Sequence, residues 1–159
     1  MNQLESLTDF LTAALGERVM DTCEIDTGTS QHVTCPKALG LGYLRVAATT
    51  FDAEFTWYDW PYRQFSSALL PALMDAWLQD NDGLRDDLAL AGPSYDKDPG
   101  DDNDTMIVTL RIGLYEEIIL REDDNGPVIR LGQRYSLAEP EIWTARDAEY
   151  VIRERRHGQ

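Results

Sequence analysis

The run TMIVTLRIGLYEEIILRE, residues 105 to 122, constrains the fold more than any other part of the chain. Met106, Val108, Leu110, Ile112 and Leu114 share one parity, and Ile118 and Leu120 continue it. Thr105, Thr109, Arg111, Tyr115, Glu117 and Arg121 share the other. Side chains along a strand alternate between faces, so the pattern predicts one long strand with a buried face and a wet one. At ~3.3 Å per residue it would span ~60 Å, whereas a compact chain of this length has a radius of gyration of only ~15 Å. The strand must bend, most easily at Gly113, or carry a hairpin that projects from the body. The Asn125-Gly126 pair signals a tight turn, Val128 to Leu131 return the chain, and Pro127 suits an edge or the turn itself. A projecting hairpin from Leu114 to Leu131 needs a cover for its apolar face, which makes Ile118 and Leu120 candidate partner contacts.

Around this strand the chain alternates between helical and extended patterns. Leu4, Leu7, Leu11 and Leu15 recur at helical spacing, with Ser6 and Asp9 resembling a capping box and Gly16 a stop. A short strand is expected near Cys23 to Asp26, followed by a turn in TGTSQ and a loop in PKALGLG. YLRVAATT, residues 43 to 50, has the content of a buried strand. A second helix is expected from a cap at Asp59, with Phe65, Leu69, Leu73 and Trp77 on one face and a kink where Pro71 interrupts it. Residues 82 to 104 hold eight aspartates against Arg85 and Lys97; their second half, from Gly92 to Asp104, is expected to be a mobile loop outside the core. These elements predict an α+β fold: two main helices on a small, mostly antiparallel sheet, a projecting hairpin and a C-terminal tail.

Charge limits the partners. The net charge is -15, from 29 acidic and 14 basic residues, so the body repels nucleic-acid phosphates and anionic membranes. Residues 134 to 159 are neutral and end in RERRHGQ, so the whole excess sits in the first 133. We therefore expect a domain at 1–133 and a C-terminal extension at 134–159 that docks on a partner, with Trp143 as its candidate anchor. No run approaches the ~18 apolar residues of a membrane span, and MNQLESL lacks the basic and apolar blocks of a secretory signal. Two cysteines, Cys23 and Cys35, make no disulfide framework, so folding in a reducing cytoplasm is expected.

Chemistry-bearing motifs are absent. His32, Cys35 and Cys23 supply at most three soft ligands in the wrong spacing for structural zinc. DKDPGDDNDT has its glycine misplaced for a calcium loop, and the twelfth residue from Asp101 is Ile112. No GxSxG, phosphate loop, HExxH or GxGxxG occurs, and the adjacent Glu116 and Glu117 point to opposite faces of a strand. Neither catalysis, nor a metal, nor a cofactor is expected.

FTWYDWPYRQF, residues 55 to 65, is the other unusual stretch, with six of the chain's fifteen aromatic side chains. It can be read as a stacking platform, as core, or as a protein interface, for which Trp, Tyr and Arg are well suited. A platform for nucleic acid would need a basic groove, and only Arg63 is at hand. The expected division places Phe55 and Phe65 inside, and Trp57, Tyr58, Trp60 and Tyr62 toward a partner.

The order of these elements resembles the tail-completion R proteins of contractile-tailed temperate bacteriophages. The resemblance is carried by YLRVAATT, by SSALLPALMDAWLQDN, whose LPALMDAWLQDN is the most specific part, by the acidic break, and by TMIVTLRIGLYEEIILREDDNGPVIRLG. It covers about residues 1 to 133; the aromatic segment and the basic-ended tail fall outside the pattern. The resemblance implies a structural virion protein, similar in role to tail terminators. Such proteins cap the head-proximal end of a tail tube or sheath, contact the neck protein and assemble as hexameric rings. An acidic DNA mimic that inhibits a host nucleic-acid-binding protein is the alternative. It would need carboxylates spread over one face, whereas many here lie in a single loop.

Overall fold

A computed structural model describes residues 2–99 and 105–138. It is an α+β structure with three helices, α1 (Gln3–Leu15), α2 (Glu17–Asp21) and α3 (Leu69–Asp80). The strands are β1 (Cys23–Thr27), β2 (Gln31–Gly40), β3 (Tyr43–Trp57), β4 (Ser94–Pro99), β5 (Met106–Glu122), β6 (Val128–Arg130) and β7 (Gln133–Leu137). They form one seven-stranded sheet in the order β1-β3-β5-β7-β6, with β2 also on β3 and β4 also on β5. Among the described residues no helix is long and apolar enough to cross a membrane.

The chain divides into two compact units, and β3 and β5 contribute to both. The first comprises Gln3–Gln31 and Thr50–Tyr115 and holds the main core. Leu7, Leu11 and Leu15 of α1 and Leu70, Met74 and Trp77 of α3 pack with Val108, Leu110, Ile112 and Leu114 of β5. The even parity of the long strand is thus the buried one, as its alternation predicts. The second unit comprises Asn2, His32–Thr49 and the described residues from Glu116 onward. Its buried apolar residues are few and mostly small: Leu39, Ala47, Ala48 and Leu120.

Several expectations are corrected. Helix α1 begins upstream of Ser6, so Ser6 does not cap it; the Ser6 hydroxyl accepts a hydrogen bond from Trp77 Nε1 at 3.2 Å instead. Gly16 does end the helix, at φ 94° and ψ 152°, an extended positive-φ conformation open to glycine. Helix α3 starts at Leu69 rather than near Asp59, which puts Pro71 in its first turn. A proline there lacks only an N–H that has no helical partner anyway, so no kink is needed. PKALG is strand rather than loop, with Leu41-Gly42 turning the chain, and β2 tolerates Pro36 because among the described strands it pairs with β3 alone. Strand β3 runs seven residues beyond Thr50, through the first three residues of the aromatic segment. Ser94 to Pro99, placed by sequence in a mobile loop, forms β4 antiparallel to β5, with Tyr95 packed on the core.

Gly113 matters for close approach: a Cβ there would lie 3.0 Å from the Ala91 nitrogen. The segment after α3 reaches β5 at this point. Arg85, 7% exposed, donates to the Gly113 carbonyl at 2.6 Å and the Ala91 carbonyl at 3.0 Å. Tyr115, expected on the wet face, is covered by the same segment, its hydroxyl accepting from the Leu84 N–H at 3.3 Å.

Removing side-chain volume beneath the helices should be costly, because Leu110 is fully buried. Leu110→Ala is expected to lose about 2–5 kcal/mol. Urea unfolding followed by circular dichroism measures it; a loss below about 1 kcal/mol would show that this face of β5 is not the centre of the core.

Candidate interaction surface

The aromatic segment is built mainly inward. Phe55, Trp57 and Trp60 are all fully buried, and they form a continuous set of ring contacts. Phe55 stacks with Trp57 at 6.1 Å, Trp57 meets Trp60 nearly perpendicular at 5.4 Å, and Trp60 contacts Phe65 at 6.4 Å. Trp60 is fixed twice more: its backbone N–H donates to the Met106 carbonyl at 2.8 Å and its indole N–H to the Phe65 carbonyl at 3.1 Å. Offset and edge-on ring pairs of this kind contribute about 0.5–1.5 kcal/mol each beyond area burial. The cost shows at Trp57, whose indole nitrogen is the only buried side-chain polar atom without a hydrogen-bond partner among the described residues. Trp57 and Trp60 are therefore core residues, not the surface contacts expected from sequence.

Two of the four proposed aromatic contacts remain accessible to different degrees. Tyr58 is 52% exposed and donates its hydroxyl to Glu24 at 3.1 Å. That bond and the Glu24 charge push the phenol above its ordinary pKa, with Asp26 and Glu54 adding to the effect. Tyr62 is half-buried against the core, with the Arg63 guanidinium 5.6 Å from its ring centroid. On β5, Ile118 is half-buried and Leu120 is buried, at 3% exposure. Trp143 lies outside the described residues.

The hairpin itself is wired differently from the expected return of Val128 to Leu131 along β5. It is β7 that pairs with β5, Leu120 opposite Leu137 and Glu122 opposite Tyr135. Strand β6 pairs with β7 and ends the sheet. Asn125-Gly126 does not form the tight turn. Asp123 folds the corner instead, its side chain accepting from the Asn125 N–H and its carbonyl from the Gly126 N–H. Glycine is required at 126 because a Cβ would run into the Tyr135 carbonyl. The two-residue turn falls at Leu131-Gly132, with φ 50° and 81°, and an equivalent one joins β2 to β3 at Leu41-Gly42, with φ 56° and 80°. Positive φ at both positions matches the strand twist but suits Asn-Gly, and a leucine there is strained.

Those leucines are also exposed, Leu131 by 92% and Leu41 by 43%. With Ile129 at 62%, Val128 and Leu137, the β6–β7 hairpin holds most of the large exposed apolar side chains among the described residues. Residues 127 to 137 contain Arg130 and Arg134 and no acidic residue, in a chain of net charge -15. Sequence reasoning singled out Ile118 and Leu120; the signal for this exposed apolar surface was the acid-free stretch PVIRLGQRYSL.

The other unit carries an opposite feature. A cleft of about 520 Å³ is lined by Asp26, Asp52, Glu54 and Arg111, together with Gly28, Gly92 and Ser94. Arg111 donates to Glu54 at 2.8 Å and also to Asp96, bonds that hold its guanidinium more firmly protonated. Three lining carboxylates thus face one cation, and Asp26 and Asp52 are exposed to solvent.

Groups suited to bond-making chemistry do not converge. Cys23 lies on β1, whereas His32 and Cys35 lie on β2, and no group of three or more His, Cys, Asp or Glu among the described residues could hold a metal ion. Burial, aided by the Glu24 charge, pushes the Cys23 thiol from an ordinary 9.0 to about 12, against a lowering backbone bond from Thr56. Because the folded value is the higher one, the stabilisation from burying the neutral thiol is complete below pH 9.0 and declines as pH rises toward about 12. At pH 8 iodoacetamide should alkylate Cys23 on the order of 100- to 1,000-fold more slowly in the folded than in the unfolded chain. Peptide mass spectrometry reads this out, and equal rates would show the thiol to be solvated.

Comparison with known proteins gives a consistent picture. A family model described as P2 phage tail completion protein R (GpR) matches residues 1–140. A relative from Haemophilus phage HP1 (strain HP1c1), described as an uncharacterized 19.2 kDa protein in the rep-hol intergenic region, is 30% identical over 110 residues. That alignment covers 69% of this chain and 66% of the relative, so the chain spans just under two thirds of that protein's length. No solved structure matches the chain significantly.

Proposed function

The chain belongs to the P2 phage tail completion protein R (GpR) family, and from that premise we propose that it is a structural subunit of a contractile phage tail. It closes the head-proximal end of the tube or sheath and joins it to the neck protein. The family match over residues 1–140 carries this reading. The arrangement of the chain supports it: the aromatic segment is spent on the core, and apolar side chains stand out on the terminal hairpin, where another protein can cover them.

A cap on a tail meets a tube of many identical subunits, so the protein acts as a closed ring of copies, six by analogy with tail terminators. Its place is the tail–neck junction of the virion, reached after synthesis in the host cytoplasm. The acidic body repels DNA that slides through the ring, which favours passage over trapping. Trp143 and the basic-ended stretch that follows β7 in sequence supply a further docking element for the tail or neck protein.

Phage deprived of this chain is expected to yield separate heads and tails, visible by negative-stain electron microscopy. Adding the purified protein to that lysate should restore joined, infectious particles. Normal yields of joined particles without the chain would overturn the reading.

A further inference from the structure

We propose that the β6–β7 hairpin of one copy docks into the acidic cleft between β1, β3 and β5 of a second copy, and that this head-to-tail contact links the subunits. The proposal rests on the reading of the protein as a subunit of a ring and names the two surfaces that join.

The hairpin is a poor solvent-facing element. Leu131 at 92% exposure and Ile129 at 62% gain nothing from folding of the isolated chain. Leu131 also occupies a backbone conformation that asparagine or glycine adopts more readily. A large apolar residue kept in a strained, exposed turn is accounted for if its side chain is buried elsewhere.

The cleft complements it in size and charge. Its volume of about 520 Å³ exceeds what one leucine fills. Asp26, Asp52 and Glu54 face the cleft, while Arg130 and Arg134 flank the hairpin turn. Arg111 is already engaged by Glu54 and Asp96, which leaves Asp26 and Asp52 as the carboxylates positioned for an incoming guanidinium. Two different surfaces are used on each copy, so the contact is heterologous, and such contacts propagate until a ring closes.

The experiment uses the full chain and measures mass by sedimentation velocity over a concentration series. Leu131→Asn removes the apolar knob and supplies the residue the turn prefers, so it should keep or raise thermal stability. At the same time it should weaken self-association about 10- to 100-fold in Kd. Asp26→Lys with Asp52→Lys should weaken it from the cleft side. Each variant retains one intact surface, so an equimolar mixture of the two should form 1:1 dimers that grow no further. Raising salt from about 50 to 500 mM should loosen the wild-type contact. The proposal is overturned if the mixture stays monomeric, if Leu131→Asn leaves the mass distribution unchanged, or if wild-type chain is monomeric up to about 1 mM. These failures are separable from failure of the functional reading, because restoration of joined particles by the wild-type chain is scored independently of its mass in isolation.

Discussion

Burial of the even-numbered face of β5 is the constraint on which the first unit depends. Val108, Leu110, Ile112 and Leu114 are each at most 1% exposed, and α1 and α3 supply the leucines and Trp77 that cover them. A strand side chain fully removed from water contributes about 1.5–3 kcal/mol, so four in succession outweigh the small preferences of any local segment. The helix boundaries follow from this. Helix α3 begins late enough to put Leu70, Met74 and Trp77 over the sheet, and the segment before it is left to turns. Pro71 is harmless in that register, although it would disrupt a helix begun ten residues earlier.

The same competition decides the aromatic segment. Composition alone allows FTWYDWPYRQF to be an interface or a core, since Trp and Tyr serve both. Continuation of β3 to Trp57 fixes the parity: Ala53, Phe55 and Trp57 alternate onto the core side and are all fully buried. The chain then turns, and Trp60 reaches the core by its backbone bond to Met106. Tyr58 is left facing solvent, with Glu24 as its partner. The large exposed aliphatic side chains among the described residues lie instead mostly on the β6–β7 hairpin.

Charge and strain are distributed unevenly in a way that suits assembly. Acidic residues dominate the body, yet the stretch 127–137 contains none, and Arg130 and Arg134 stand there beside exposed aliphatic side chains. The turns at Leu41-Gly42 and Leu131-Gly132 both place leucine at positive φ. Isolated-chain stability would favour asparagine at both sites.

The sequence by itself determined the α+β class, the long alternating strand, the amphipathic α1 ending at Gly16 and the family to which the chain belongs, because period and order are local properties that survive without coordinates. It also marked the Cys23–Asp26 strand and the unusual weight of residues 55 to 65. It could not determine register. Whether β4 forms, whether β6 or β7 pairs with β5, and which aromatic rings face inward all depend on partners distant in sequence. Asn125-Gly126 illustrates the limit: the pair carries the strongest local hairpin signal, but the Tyr135 backbone occupies the space beside Gly126, and the tight turn forms at Leu131-Gly132 instead. Tertiary structure alone decided which apolar residues remain exposed, because exposure is what is left after the core has taken its share.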